Sequence, residues 1–209
     1  MFTHMTESTR SYGKKARAEA EEATRQRIVE ATVRLHEEIG PRETTISAIA
    51  REAGVQRLTV YRHFPDETAV FQACTSYWLA QNPPPDPRRR SAPGGVDRVR
   101  EAVADFYDYY ARTQRMWTVS FRDVERVPAL QGPMAEFAGF IRSVADDLVA
   151  RLGAEPAGAN AAATIRHALH FLTWKELEEQ GLANDRKVEL IGGWLHGVET
   201  LDAAPEEMR

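Results

Sequence analysis

Residues 44–64 read TTISAIAREAGVQRLTVYRHF, and this stretch decides the fold. Apolar residues at steps of three and four predict a short helix over residues 45–53. Gly54 ends this helix, because glycine tolerates the backbone conformation that follows a helix C-terminus. A second apolar set over residues 55–64 predicts another helix directly after the turn. The sequence therefore predicts two short helices joined by a glycine turn.

This arrangement is the shape of a helix-turn-helix, whose second helix lies in the major groove of DNA. The outward groups of the second helix are Gln56, Arg57, Thr59, Arg62 and His63. They are hydrogen-bond donors and one methyl-bearing hydroxyl, which suit guanine edges, thymine methyls and phosphates. An ordinary three-helix hairpin with a polar outer face would show the same periodicity. Periodicity alone leaves both interpretations open.

The residues themselves closely resemble the DNA-binding domain of the tetracycline-repressor (TetR) family. The resemblance is carried by an Ala-x-x-Ala-Gly-Val turn at residues 50–55 and a Thr-x-Tyr-x-His-Phe ending at residues 59–64. It covers about residues 25–71. It implies an all-α fold, with an N-terminal three-helix helix-turn-helix domain and a C-terminal helical bundle for ligand binding and dimerisation.

The resemblance also implies which side chains meet DNA. Thr45 matches a backbone-phosphate contact, and Ser47 a position from which some members reach a base. Tyr61 and His63 match phosphate clamps, although half-buried packing of the tyrosine and simple exposure of the histidine remain alternatives. The implied DNA-binding residues are Thr45, Ser47, Gln56, Arg57, Leu58, Thr59, Tyr61, Arg62 and His63.

One position departs from the family pattern. Many members carry a lysine at the start of the fourth helix, where this chain has Glu67 beside Asp66. Acids stabilise a helix N-terminus, but they repel phosphate. Lys14, Lys15 and Arg17 in the N-terminal arm are candidates to replace the missing contact.

The N-terminal arm is therefore expected to contribute to operator binding. We predict that removal of residues 1–20 weakens binding and flattens its salt dependence, because fewer cations meet phosphates. Titration of the operator at two salt concentrations measures both quantities. Unchanged affinity together with an unchanged salt slope would contradict the prediction.

Composition limits the class of protein. The 209 residues are 43% hydrophobic and 28% charged, which is typical of a chain that buries a core. The net charge of -4 excludes a basic coat protein, and the single cysteine excludes a disulfide framework. Residues 10–64 nevertheless hold 11 Lys and Arg against 8 Asp and Glu. Without a stretch of about 20 apolar residues or a secretory signal, a cytoplasmic location and no membrane association are expected.

Helical periodicity continues to the end of the chain. Residues 1–21 are expected to form a flexible charged arm that can lengthen the first helix. Residues 22–68 are expected to form the DNA-binding domain, and residues 69–209 the ligand-binding and dimerisation domain. The proline-rich residues 82–95 predict a loop between elements.

The ligand pocket implied by the resemblance would be lined by aromatic side chains of the second domain. The same side chains are also what the core of a helical bundle needs. Arg122, Asp123 and Arg126 are either polar anchors of the pocket or solvated surface. An aromatic or hydrophobic inducer is expected. The candidate pocket residues are Phe106, Tyr109, Tyr110, Trp117, Phe121, Phe137 and Phe140.

The last two helices are expected to form the seam of a homodimer. Gly192, Gly193 and Gly197 would each cost a helix about 1 kcal/mol relative to alanine, so a packing reason is expected. A two-fold dimer sets its recognition helices about 34–36 Å apart, which calls for a palindromic double-stranded operator. The candidate interface residues are Leu169, Leu172, Trp174, Ile191, Trp194, Leu195 and Val198.

Two other functions remain open. A DNA-binding regulator without an inducer, controlled by a partner protein, would carry the same motifs. A helical-bundle enzyme is disfavoured because His167 and His170 lack the Glu-x-x-His motif of helical metal sites. Cys74 lies in an apolar stretch and is expected to pack rather than react. No catalytic residue, metal or cofactor is predicted.

Overall fold

The computed structural model describes residues 5–89, 94–152 and 159–202. These residues form helices joined by turns and include no strand, so the all-α prediction is confirmed. The helices are α1 (Met5–Ile39), α2 (Ile46–Glu52), α3 (Arg57–His63), α4 (Glu67–Gln81), α5 (Val96–Asp123), α6 (Pro128–Ala150), α7 (Ala159–Ala168), α8 (Phe171–Glu179) and α9 (Asn184–Asp202), with 3₁₀ turns at Pro41–Glu43 and Pro87–Arg89.

The chain divides into two compact units. Unit 1 consists of Met1–Gln81 and Thr118–Gln131, and unit 2 of Asn82–Trp117 and Gly132–Arg209. The sequence placed the boundary at residue 68, whereas the structure places it after α4. Unit 1 also includes the end of α5 and the start of α6, which the sequence assigned to the second domain.

Unit 1 has a continuous apolar core to which α1, α2, α3 and α4 all contribute. Two hydrogen bonds add to the packing of α4 on α1: Tyr77 Oη donates to Glu30 at 3.4 Å, and Trp78 Nε1 to Glu37 at 3.1 Å. These contacts explain why α4 belongs to the N-terminal unit. The core residues are Ile28, Val29, Ala31, Leu35, Ile46, Ile49, Ala50, Ala53, Val60, Phe64, Val70 and Phe71.

The expected N-terminal arm is, from Met5 onwards, the first part of α1. Residues 14–23 are exposed, and they are rich in Ala, Glu, Lys and Arg, which favour helix without tertiary support. Lys15 and Glu19 form an exposed i,i+4 pair at 3.9 Å. Residues 1–4 lie outside the described residues. The basic side chains at positions 14, 15 and 17 therefore extend from a helix.

Unit 2 is built around α5. Four of its residues at helical spacing are fully buried, namely Val99, Val103, Phe106 and Tyr110. The loop predicted over residues 82–95 is irregular apart from one 3₁₀ turn in its described part.

In the described ranges, no helix has the length and apolar character that crossing a membrane requires.

Candidate nucleic-acid interface

The turn between α2 and α3 follows from local hydrogen bonds. Thr45 Oγ1 accepts a hydrogen bond from the Ala48 amide at 3.2 Å, which caps the N-terminus of α2. Gly54 has a φ of 67°, in the left-handed region that glycine adopts without steric cost. The Val55 amide then donates to the Ala50 carbonyl at 2.9 Å. These contacts set the direction in which α3 leaves the turn.

The helix α3 has one buried side and one exposed side. Val60 is 0% exposed and Phe64 is 3% exposed, so both anchor the helix in the core of unit 1. Leu58 is 78% exposed and Tyr61 is 42% exposed on the other side. Large apolar side chains at such exposure are unfavourable in water unless a partner covers them. The outer side of α3 therefore has the character of a binding surface.

The charge of this surface is positive. Arg57 and Arg62 are exposed, and α3 contains no acidic residue. On the preceding helix, Glu52 accepts a hydrogen bond from Arg34 Nε at 2.9 Å, which offsets its charge. Two arginines of the α3 helix are thus exposed beside Leu58 on a surface suited to a polyanion.

The nine predicted DNA-binding residues all lie on α2, α3 or the segment that caps them. The cap of α2 uses a lone pair of Thr45 Oγ1, so its hydroxyl hydrogen is available for a phosphate oxygen. His63 Nε2 is buried without a hydrogen-bond partner among the described residues, so a phosphate would have to meet Nδ1. Exposed are Thr45, Ser47, Gln56, Arg57, Leu58, Tyr61 and Arg62, and half-buried are Thr59 and His63.

The start of α4 is acidic, as the sequence indicates. Asp66 Oδ1 accepts a hydrogen bond from the Ala69 amide at 2.8 Å, which caps the N-terminus of α4. Glu67 is the exposed first residue of α4. Neither carboxylate suits a phosphate contact, so positive charge for such a contact must come from elsewhere in unit 1.

A supporting residue that the sequence did not single out is Arg25 on α1. Its guanidinium carbon lies 5.0 Å from the centroid of the Phe64 ring, a cation–π contact at the C-terminal end of α3. The contact joins α1 to the residue that closes the recognition helix. Because the two positions are 39 apart in sequence, no local pattern could have revealed it.

Six of the seven candidate pocket residues belong to unit 2 and form an aromatic cluster there. Trp117 and Phe137 lie 4.1 Å apart between ring centroids, and Tyr109 lies 5.7 Å from Tyr110. Phe121 is assigned to unit 1, so it is not counted with this cluster. The cluster of unit 2 consists of Phe106, Tyr109, Tyr110, Trp117, Phe137 and Phe140, together with Phe171 and Trp174.

The tyrosines of α5 are buried, and burial raises the pKa of Tyr107, Tyr109 and Tyr110 above the usual value. Tyr110 Oη donates to the Leu169 carbonyl at 2.8 Å, and Tyr109 Oη donates to the Asn82 carbonyl at 3.3 Å. Tyr107 Oη is buried and has no hydrogen-bond partner among the described residues. This hydroxyl is therefore a buried polar group of unit 2 whose hydrogen bond is not made by the described residues.

Four candidate interface residues lie in the core of a single chain: Leu169, Trp174, Ile191 and Leu195 are each at most 1% exposed. They cannot supply the surface of a dimer, and this corrects the sequence-based assignment. Leu172 is exposed at 48% on α8. Trp194 and Val198 remain accessible on an open groove of about 630 Å³, lined also by Ala163, Thr164, His167, Gly193 and Gly197.

The three glycines of α9 have different surroundings. A Cβ at Gly192 would lie 2.5 Å from Arg100 Nε of the same chain. The glycine at this position is therefore explained by packing within one chain. Cβ atoms at Gly193 and Gly197 would meet none of the described residues within 4 Å. These two positions leave the face of α9 that lines the groove open.

The residues considered for chemistry have structural roles. His170 Nδ1 accepts a hydrogen bond from the Leu172 amide at 3.3 Å and caps α8. Cys74 is buried, and burial raises the pKa of its thiol to about 12, so it stays protonated and unreactive at neutral pH. Asp123, considered as a pocket anchor or solvated surface, is instead buried in unit 1.

Comparison with known proteins supports the helix-turn-helix geometry. Residues 28–74 match the family described as bacterial regulatory proteins, tetR family. Over 90 residues, the chain is 40% identical to the HTH-type transcriptional regulator SrpR and 39% identical to the uncharacterized HTH-type transcriptional regulator TtgW, both of Pseudomonas putida. Each match covers 43% of this chain.

The matched region spans 40% of the length of SrpR and 63% of that of TtgW. The fold similarity extends further. The crystal structure of NalD, the secondary repressor of the MexAB-OprM multidrug efflux pump in Pseudomonas aeruginosa, superimposes with a TM-score of 0.57 at 20% identity over 83% of this chain and 93% of NalD. Both curated relatives bear the name of HTH-type transcriptional regulators, which agrees with the sequence-based expectation of a regulator rather than an enzyme. The α2–Gly54–α3 unit and the matched family model agree that residues 28–74 form the DNA-binding domain of the tetR family of bacterial regulatory proteins.

Proposed function

We propose that the protein is a homodimeric DNA-binding transcriptional regulator, a repressor that a small molecule releases from a palindromic operator. The observation that carries the proposal is the outer side of α3. There, Leu58 is 78% exposed beside Arg57 and Tyr61, on a helix that Val60 and Phe64 fix in the core. A single helix with exposed donors and an apolar side chain fits the major groove. Operator binding places the protein in the cytoplasm, with the chromosome.

Selection of bound DNA from a random duplex pool, at two salt concentrations, tests operator binding. We expect an enriched palindrome whose half-sites are one helical turn apart, or about 34–36 Å. Enrichment should survive the higher salt, because base contacts do not depend on counterion release as phosphate contacts do. Binding that only disappears with rising salt, without enrichment, would overturn the proposal.

The groove of α7 and α9 supports homodimerisation. It is apolar and open, and Gly193 and Gly197 leave room for the close approach of another helix. Trp194 is a half-buried lining residue of the groove, and its ring centroid lies 6.4 Å from that of His167. A second copy related by two-fold symmetry would place the same groove opposite itself, as an isologous interface requires. The proposed interface therefore consists of Gly193, Trp194, Gly197 and Val198 rather than the buried core residues.

We predict that Gly193→Arg converts the protein to a monomer. A Cβ at this position meets no atom within 4 Å in the described part of one chain, and arginine favours a helix over glycine, so the variant should fold. In the dimer, the added side chain would occupy the space of the second copy. Light scattering at micromolar concentration measures the mass.

The matched control for this prediction is Gly132→Arg on α6. This glycine is also exposed, and a Cβ added there would meet nothing within 4 Å in the ranges that the structure describes, so the variant should remain dimeric. A wild-type monomer, or a dimeric Gly193→Arg variant, would contradict the proposed interface.

The aromatic cluster of unit 2 supports a ligand site for an aromatic or hydrophobic molecule. A buried hydroxyl without a partner costs about 1–3 kcal/mol, which a ligand acceptor near Tyr107 Oη would recover. DNA would hold one spacing of the two recognition helices and the ligand another. Only this difference in affinity between two states can release the operator.

A regulator without an inducer remains the second candidate, since the same aromatic side chains also form a complete core. Thermal unfolding with a panel of aromatic and lipophilic compounds separates the two. A compound that binds the native state raises the midpoint by an amount that grows with its affinity and concentration. If no compound raises the midpoint or releases the operator, control by a partner protein is the better account.

A further inference from the structure

Two adjacent residues at the end of α5, Arg122 and the buried Asp123, form an ion pair, and both groups also hydrogen-bond to the backbone at and just after the end of α1 within unit 1. Arg122 Nε donates to Asp123 Oδ1 at 2.8 Å, and Arg122 Nη2 donates to Asp123 Oδ2 at 3.0 Å. The same Nη2 donates to the Ile39 carbonyl at 3.0 Å. Asp123 Oδ2 also accepts the backbone amide of Arg42 at 3.1 Å. One carboxylate and one guanidinium thus hold both sides of Gly40.

The backbone around Gly40 is shaped to admit this pair. Gly40 has a φ of 92°, and a Cβ there would overlap Arg122 Nη2 and lie 2.6 Å from Asp123 Oδ2. The side chain of Asp123 is 3% exposed, whereas that of Arg122 is 54% exposed. Because the Arg122 guanidinium and the Arg42 amide lower the pKa of Asp123, the carboxylate stays ionised in its buried position.

The segment held by this pair leads directly into α2. Thr44 Oγ1 donates to the Gly40 carbonyl at 2.8 Å, and Thr45 is the N-cap of α2. Ile46, the first residue of α2, is 3% exposed in the core. Residues 40–45 therefore have a fixed path from α1 to the first helix of the helix-turn-helix. Among the described contacts, the Arg122–Asp123 pair is what anchors this path to α5 by charge.

We propose that Arg122 and Asp123 are positioning residues for operator binding, which hold residues 39–45 and with them the start of α2. The inference rests on the proposed function, because it concerns the affinity of the same DNA-binding helices. The pair acts through the backbone of α1 and the 3₁₀ turn. It sets the fraction of molecules whose α2 and α3 are arranged for DNA, and it makes no base or phosphate contact of its own.

Arg122→Ala tests this role, since the exposed side chain can be removed without opening the core. We expect operator affinity to fall about tenfold, which corresponds to about 1.4 kcal/mol. A smaller competent fraction multiplies every dissociation constant by the same factor. The loss should therefore be equal at two salt concentrations, and equal on the selected palindrome and on a duplex with one substituted base pair.

Two further variants complete the experiment. Asp123→Asn keeps the volume of the side chain but loses the ion pair, and we expect the same uniform loss. Arg126→Ala, an exposed arginine three residues further along, should bind like the wild type. Far-UV circular dichroism and thermal unfolding verify that each variant is folded. Fluorescence anisotropy with the labelled palindrome measures each dissociation constant.

The outcomes separate the inference from the proposed function. Failure of the wild type to select an operator would overturn both. If the wild type binds the palindrome and a folded Arg122→Ala variant binds equally well, the positioning role alone is wrong. A loss that changes with salt would instead assign Arg122 to a phosphate, and a loss that changes with the base pair would assign it to a base; either overturns the inference.

Discussion

Arg57→Ala is expected to weaken binding to the selected operator at least about tenfold and to relax the preference at one base pair in each half-site. Arg57 is the exposed first residue of α3, and the N-terminal residues of a recognition helix are the ones that reach base edges. A bidentate arginine–guanine contact contributes about 1–3 kcal/mol to base discrimination. A two-fold dimer makes this contact twice, so both half-sites lose it.

Arg57→Lys separates base recognition from charge. Lysine keeps the positive charge but lacks the planar fork that binds guanine in a bidentate way. We expect its salt slope to stay near that of the wild type while the base preference is lost. Arg57→Ala should lose the base preference as well. Measurement requires titration of the palindrome and of single-base variants at two salt concentrations.

The control for both substitutions is Arg115→Ala, which removes an exposed arginine of α5 in unit 2. Its affinity and base preference should match the wild type, because a net charge change alone acts weakly at physiological salt. If Arg57→Ala retains both the affinity and the base preference of the wild type, α3 does not read the operator through Arg57.

Local features of unit 1 were predictable from the sequence. The predicted helix over residues 45–53 is observed as Ile46–Glu52 with Thr45 as its cap, because a capping hydroxyl and an apolar period are both short-range signals. The turn at Gly54 and the cap at Asp66 follow from single residues in the same way. Short-range physics is sufficient wherever the structure-determining contact lies within about four residues.

Long-range contacts were not predictable. The hydrogen bond from the Arg42 amide to Asp123 joins residues 81 apart, and no periodicity records such a pairing. An apolar stripe also indicates that its side chains are buried, but it does not indicate which residues cover them. Trp174 and Ile191 are buried by their own chain, whereas a dimer interface would produce the same spacing. The sequence could therefore indicate which side chains avoid water, but not whether the same chain or a second copy covers them.

Acidification from pH 7 to pH 5 is expected to remove about 2 kcal/mol of stability from unit 1 through His36. This histidine is 3% exposed. Its ring is edge-on to that of Phe71, with 4.5 Å between the ring centroids, and its Nδ1 lies 3.5 Å from Cys74 Sγ. Burial lowers its pKa to about 4, although the nearby Asp123 carboxylate acts in the opposite direction.

The direction of this change in stability follows from the number of protons that the folded and unfolded states bind. With a folded pKa of about 4 and an unfolded value of 6.5, the unfolded chain binds more protons between these values. Stability from His36 is therefore complete above about pH 6.5 and is lost as the pH falls towards 4. Asp123 has a lowered pKa, so its stabilisation is lost only at more acidic pH, below the ordinary range of a carboxyl group.

His36→Gln isolates this effect, because glutamine is polar but does not titrate. Urea unfolding at pH 7 and pH 5 measures how much the free energy of unfolding falls on acidification. We expect this fall to be about 2 kcal/mol smaller in the variant than in the wild type. Removal of the ring also lowers stability at both pH values, so the difference between the two is the quantity to compare. His170 has a lowered pKa as well, but it is present in both proteins and cancels. An equal loss in His36→Gln and the wild type would mean that a group other than His36 takes up the proton.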